Sequence, residues 1–215
     1  MTDKYEFSNS NFVTPVFHEL GLPGSHENVN AELMALLFKA LKFEGISLLP
    51  EELSFYLFLL EKKLEESKEI RLCEHGSGSS TLYLKAFLNM PRKFEYKARI
   101  VSFETDVLWF GAVTKLLDQF IGAKTPVVLN YYKSPWIETL SAVNEKFNVV
   151  MIDGRKRLEF IKAITSFLDD DSLIFLHDYT PNASRDEEFN FLKENYNLVS
   201  VVSTLACFES KKCLK

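Results

Sequence analysis

Three cysteines, Cys73, Cys207 and Cys213, are an odd number with no C-x-x-C pair among 215 residues. That scarcity excludes a disulfide framework and a cysteine-built metal site. The expected setting is a reduced, cytoplasmic protein, and Cys73, inside an apolar run, reads as core packing rather than a reactive thiol. No run approaches ~18 uninterrupted apolar residues, so no membrane span is expected. Residues 1–10 are polar and lack the apolar centre of a signal peptide. Positive charge is also short: 25 basic residues against 30 acidic ones leave a net charge of −5. General nucleic-acid binding needs a cationic footprint to displace counterions, so nucleic acid is not the expected partner. Internal repeats and low-complexity tracts are missing as well.

What is present suffices for a core: 47% of residues are hydrophobic and 13% aromatic. The length fits one domain with a small appendage. Residues 1–68 form an N-terminal segment and helical cap. Its first part, with Thr14-Pro15, Gly21, Pro23 and Gly24, is irregular. Asn28 or Asn30 caps a helix over 31–43, which Gly45 stops. Pro50-Glu51-Glu52 opens a second helix, because proline suits the first turn and acids suit the positive dipole end. Leu53, Leu57, Leu60 and Leu64 continue it as an apolar stripe. The two helices either cover a sheet face or touch substrate.

From residue 69 to 210 short apolar runs alternate with helical segments. Strands are expected at 70–73, 100–103, 127–129, 149–152 and 173–176. Helices are expected at 79–90, 106–120, 137–146, 158–168 and 187–195. The runs at 198–202 and 205–208 are close enough to pair as an antiparallel hairpin, and 211–215 is a tail. Strands alternating with helices imply a mostly parallel α/β sheet with helices on both faces. Seven strands result, short and continuous as doubly covered strands should be.

Ligands of such sheets bind outside the carboxyl ends of the strands, where chain order reverses. Four polar clusters stand there: Glu74-His75-Gly76-Ser77-Gly78-Ser79-Ser80-Thr81, Glu104-Thr105-Asp106, Asp153-Gly154-Arg155 and His177-Asp178-Tyr179. The first is a glycine turn into a helix, suited to a carboxylate or phosphate. It is not the dinucleotide fingerprint, since Thr81 stands where the third glycine belongs, and no Gly-Lys-Ser/Thr makes it a phosphate loop. Glu104 follows Gly78 by 104 − 78 = 26 residues. A carboxylate at the end of that strand can accept from both hydroxyls of a ribose.

Together these pieces resemble the class I S-adenosylmethionine-dependent methyltransferases, and most closely small bacterial O-methyltransferases. The residues that carry the likeness are E-H-G-S-G-S-S-T (74–81), S-F-E-T-D (102–106), V-M-I-D-G-R (150–155) and L-I-F-L-H-D-Y (173–179). The resemblance spans residues 70–208 and implies a Rossmann-like fold with a terminal hairpin. It further implies that Gly76, Ser77 and Gly78 run beneath the methionine part of S-adenosylmethionine. Ser80 and Thr81 help hold its amino-acid end, Glu74 supports the turn or the amino group, and Glu104 takes the ribose. Adenine would lie near Tyr131 or Tyr132.

Asp153, His177 and Asp178 are the candidates for acceptor chemistry. His177 is either a general base or a satisfied residue at a strand end. Asp153 either orients it or faces the acceptor. Relatives of this fold bind magnesium through acids at these positions, but His177 interrupts the adjacent acids and imidazole suits magnesium poorly, so a divalent metal is not the expected cofactor. The basic run Arg155-Lys156-Arg157 suggests an anionic acceptor such as a phosphorylated or uronic sugar. His18 and His26 are either exposed loop residues or close over the site. The expected activity is O-methylation of a small hydroxylated molecule such as a sugar or glycan precursor. An RNA methyltransferase and a noncatalytic cofactor-binding paralogue are the alternatives, and a homo-oligomer is compatible with either.

Overall fold

The computed structural model describes residues 48–90, 92–119, 126–132, 135–179 and 186–211. The expected helix over 31–43, His18, His26 and Cys213 lie outside the described residues.

The first described helix, α1 (Pro50–Ser67), starts where the proline and acids place it. Glu52 accepts the backbone N–H of Leu49 at 2.8 Å, satisfying a donor that the helix start would leave orphaned. Leu53, Tyr56, Leu57, Leu60 and Leu64 are buried at helical spacing. The helix ends at Lys68, which turns left-handed (φ 58°) and donates to the Leu64 carbonyl. Then follow β1 (Glu69–His75), α2 (Ser79–Asn89), β2 (Lys97–Glu104), α3 (Val107–Gln119), β3 (Val127–Tyr131) and α4 (Trp136–Val143). The chain continues through β4 (Phe147–Ile152), α5 (Arg157–Ile164), β5 (Leu168–Leu176), α6 (Asp186–Asn195), β6 (Tyr196–Val202) and β7 (Leu205–Ser210).

The seven strands form one sheet in the order β3-β2-β1-β4-β5-β7-β6. The first five are parallel, and β7 pairs antiparallel with both β5 and β6. This is the α/β sheet with terminal hairpin that the alternation of runs implies. Its two faces follow from the period-2 geometry of strands. Ile70, Leu72, Ile100, Met151 and Phe175 share a core with α1, α2 and α3. Cys73, Val101, Val150, Ile174 and Phe208 share another with residues of α4, α5 and α6. Cys73 is a buried free thiol inside the second core, as its apolar run indicates. Helix α1 is therefore a layer of the fold, packed against β1 and β6.

One element departs from expectation. The 158–168 helix ends at Ile164, runs through a 3-10 turn at Thr165–Phe167, and gives way to a strand from Leu168. Three aspartates thus enter β5, against their ordinary strand preference. Tertiary pairing accounts for two of them: Asp169 pairs with Arg71 and Asp171 with Lys63.

Chain order reverses between β1 and β4, since β1 leads outward to β2 and β3 while β4 leads the other way to β5. The carboxyl ends of β1, β2, β4 and β5 therefore line one edge, with a switch point between β1 and β4.

Candidate functional site

The glycine turn joins β1 to α2. Gly76 has φ +94°, and a Cβ there would sit 2.7 Å from the backbone nitrogen of Gly154. The ends of β1 and β4 thus touch backbone to backbone, which only glycine permits. Gly78 is different: its backbone is extended, and a Cβ would meet the Trp109 ring at 3.6 Å, an ordinary contact.

Glu74 is wholly buried under the turn. It accepts from the hydroxyls of Ser80 (2.7 Å), Thr81 (2.6 Å) and Ser102 (2.6 Å). Thr81 Oγ1 also accepts the Gly78 N–H at 3.0 Å. These side chains brace the turn from below. The Ser80 and Thr81 hydroxyls point at Glu74, and the N–H groups of Gly76, Ser77 and Gly78 are bonded to Phe103 O, Glu104 and Thr81, so the expected hold of Ser80 and Thr81 on a ligand's amino-acid end is replaced by a role in bracing the turn. Burial raises the Glu74 pKa to about 7 against the opposing pull of the three hydroxyls.

Glu104, 8% exposed, lies against this turn at the carboxyl edge. Its Oε1 accepts the backbone N–H groups of Thr105 (2.7 Å) and Asp106 (2.9 Å), and Oε2 accepts Ser77 N (3.1 Å) and Oγ (3.2 Å). Burial raises its pKa, and these four donors oppose the rise. The two longer bonds both come from Ser77 to Oε2, and an ionised carboxylate at this edge is an acceptor of the kind that sugar hydroxyls require. Asp106 caps α3 through Oδ1, accepting from Leu108 and Trp109 N–H. Trp109 Nε1 donates to the Ser77 carbonyl and so ties α3 to the turn. Val107 and Leu108 beside it are exposed.

Asp153, His177 and Asp178 come together at the ends of β4 and β5, with one ligand atom of each within 4.8 Å of the others. His177 is 1% exposed. Its Nδ1 bonds Asp153 Oδ1 at 3.0 Å and its Nε2 bonds Glu52 Oε2 at 3.3 Å. Burial pushes the imidazole pKa down, but the two carboxylate partners and nearby Asp178 outweigh it and carry it up to about 10. Glu52 is wholly buried too. Burial would raise its pKa, yet hydrogen bonds from His177, Thr204 and Leu49 bring it to about 2. His177 is thus an imidazolium with both nitrogens committed, which is not the state of a general base.

Arg157 is also turned inward. It donates to the carbonyls of Gly154, Asp153 and His177, and its Nη2 reaches Asp153 Oδ1 (3.2 Å) and Asp178 Oδ2 (3.3 Å). Arg155 and Lys156 are exposed, so the three cations do not converge as the basic run suggests. A divalent ion fits this cluster poorly. Both histidine nitrogens are spent, and a guanidinium already lies against each aspartate. Among the described residues Asp153 Oδ2 has no hydrogen-bond partner.

His75 points to the opposite face from Glu74. It stacks on Phe160 (4.3 Å, 7°) and meets Trp136 edge-on (4.9 Å), and burial holds its pKa down to about 3. It is a neutral packing ring. Of the tyrosines near the end of β3, Tyr132 stacks on Trp136 at 3.6 Å, whereas Tyr131 is 37% exposed. The sequence reading missed two participants, Glu52 and Trp109. Glu52 shows only the signature of a helix-start acid, and Trp109 only its nearness to Glu104.

No known family pattern matches the chain, and no curated protein matches it. Solved structures do. The O-methyltransferase from Bacillus cereus, in complex with SAH, is 13% identical with a TM-score of 0.63, covering 91% of this chain and 95% of that one. A putative caffeoyl-CoA O-methyltransferase from Staphylococcus aureus is 13% identical with a TM-score of 0.58, covering 86% and 94%. The 16S rRNA N2 G1207 methyltransferase of T. thermophilus, in complex with AdoMet and guanosine, is 16% identical with a TM-score of 0.51, covering 79% and 45%. The chain thus has the Rossmann-like fold of class I S-adenosylmethionine-dependent methyltransferases. Their acceptors range from small molecules to RNA, so the fold alone does not select one.

Proposed function

We propose that this chain is an S-adenosylmethionine-dependent methyltransferase acting on a hydroxyl of a small molecule, such as a sugar or glycan precursor. The observation that carries the reading is the Glu104 carboxylate lying over the Ser77 turn at the switch-point edge. S-adenosylmethionine, when bound, supplies a methyl group activated on a sulfonium. Gly76, Ser77 and Gly78 would lie beneath its methionine part, while Ser80 and Thr81 hold the turn rigid through Glu74. Glu104 would be the carboxylate that accepts from the ribose hydroxyls.

Transfer from a sulfonium is an in-line displacement, so the chain's tasks are alignment and removal of the acceptor's proton. Asp153 is the carboxylate for that task. Its Oδ1 is held by His177 and Arg157, and Oδ2 is left for the acceptor. Asp178 orients Arg157 from the other side. His177 positions Asp153 and does not itself take the proton.

Calorimetry with S-adenosylmethionine and its demethylated product tests the reading. The wild type should bind both. Glu104→Gln should bind about 10-fold or more weakly, since a hydrogen bond to a charged group contributes roughly 1.5–3 kcal/mol. Absence of wild-type binding at high micromolar donor overturns the proposal. Unchanged affinity in Glu104→Gln removes the ribose assignment. A screen of hydroxylated acceptors, with RNA as a comparison arm, then identifies the substrate.

A further inference from the structure

We propose that Glu52 is a positioning residue of the acceptor edge. Reaching from the first turn of α1, it locks His177 between two carboxylates. His177 and Arg157 then act as two fixed internal cations in the place between Asp153 and Asp178 where a divalent ion would otherwise sit. The role assigned to the edge rests on the methyl-transfer reading; the lock itself rests on geometry.

Glu52 and His177 are 125 residues apart in the chain. Glu52 is buried, and its four bonds tie three places together: the start of its own helix, Thr204 and His177. One oxygen takes Thr204 N and Oγ1, both at 2.7 Å, in the turn between β6 and β7. The other takes Leu49 N at 2.8 Å and His177 Nε2 at 3.3 Å. A helix-start acid needs only the Leu49 bond. A carboxylate wholly removed from water keeps its charge only beside a cation, and His177 is the cation that faces it.

The groups around His177 come from four elements: Glu52 from α1, Asp153 after β4, Asp178 after β5, and Arg157 from α5. Three acids and two bases leave the cluster one negative charge. That charge has one oxygen without a partner among the described residues, Asp153 Oδ2. A metal would have to displace Arg157 from both aspartates and strip His177 of a proton. Glu52 opposes the second change directly, because it stabilises the doubly protonated ring.

Imidazole nitrogen NMR reads the lock without donor or acceptor. The full chain has four histidines, and His177→Asn assigns the signal. In the wild type, His177 should stay doubly protonated through pH 8. In Glu52→Gln, which keeps the shape and the Thr204 bonds, it should titrate at least about one unit lower. Manganese added to the wild type should remain free by electron paramagnetic resonance. A wild-type His177 that titrates near 6.5, or one whose titration is unmoved in Glu52→Gln, overturns the proposal. So does manganese bound by the wild type and released in Asp153→Asn. Two of these readouts need no Glu52 variant, so a poorly folding Glu52→Gln leaves the test intact. A charged His177 in a protein that binds no S-adenosylmethionine keeps the lock and removes the methyl-transfer reading. The converse result removes the lock alone.

Discussion

Replacing Gly76 with alanine probes the contact on which the whole edge depends. The backbone there has φ +94°, and a Cβ would lie 2.7 Å from Gly154 N, 2.9 Å from Gly154 Cα and 3.0 Å from Asp153 C. All three neighbours are backbone atoms, held by hydrogen bonds from Gly76 N to Phe103 O and from Asp153 N to His75 O. Neither side can yield by rotating a side chain. The left-handed conformation costs about 1–2 kcal/mol for a residue with a Cβ, and overpacking adds roughly 1–3 kcal/mol. The sum, about 2–5 kcal/mol, is a large part of the ~5–15 kcal/mol that holds a typical domain folded. At about 2–4 °C per kcal/mol for a chain of this length, the melting temperature should fall by roughly 4–20 °C. Gly78→Ala is the matched control, because its Cβ meets only the Trp109 ring at 3.6 Å. Thermal unfolding of both variants by circular dichroism makes the comparison. A Gly76→Ala protein that melts within about 2 °C of wild type, or no lower than Gly78→Ala, refutes the claim that the strand ends meet backbone to backbone.

Two further outcomes follow from the same edge. His177 has a folded pKa of about 10 against an ordinary 6.5. Its stabilisation is fully present below pH 6.5 and is lost as pH rises through 10, and each unit is worth about 1.4 kcal/mol. Glu74, raised to about 7 by burial, likewise favours folding less as pH rises from 4.5 to 7, whereas the stability Glu52 contributes is present above 4.5 and lost as pH falls through 2. The denaturant midpoint should therefore decline from pH 6.5 to 9.5, and His177→Asn should flatten that decline. A midpoint constant over this range counts against a charged His177. Trp109, tied to the Ser77 carbonyl, should change its fluorescence when S-adenosylmethionine binds, and Trp109→Phe should lose that change. A response that persists in Trp109→Phe would assign the signal to Trp136.

The alternation of apolar runs and helical stripes made the sheet legible because burial on both faces leaves a strand almost no polar positions. Val149, Val150, Met151 and Ile152 are all fully buried, and the corresponding run is continuous in the sequence. The start of β5 was not legible for the converse reason. Asp169, Asp170 and Asp171 have poor strand preference, and the cations that pair with Asp169 and Asp171 come from α1 and β1, about a hundred residues earlier. The local signal pointed to a break, and tertiary ion pairing extended the strand through it.

The candidate site divides along the same line, between what neighbours in sequence can show and what only the fold assembles. The polar residues at the strand ends stood out because the sheet's own pattern leaves no place for them in a core. Their assignment to particular partners did not, since a carboxylate at a strand end reads alike whether it faces a ligand or a buried cation. His177 illustrates the difficulty. Its type and position suit a base, and only the arrival of Glu52 from α1 opposite Asp153, one carboxylate on each ring nitrogen, makes it a committed imidazolium. Glu52, in turn, carried a correct local explanation, the helix-start acid, that accounts for one of its four hydrogen bonds. A residue whose local role is already satisfied gives no sign that it has another. Buried charge therefore has to be traced through contacts, and here that tracing moves the candidate proton acceptor from the histidine to the aspartate beside it.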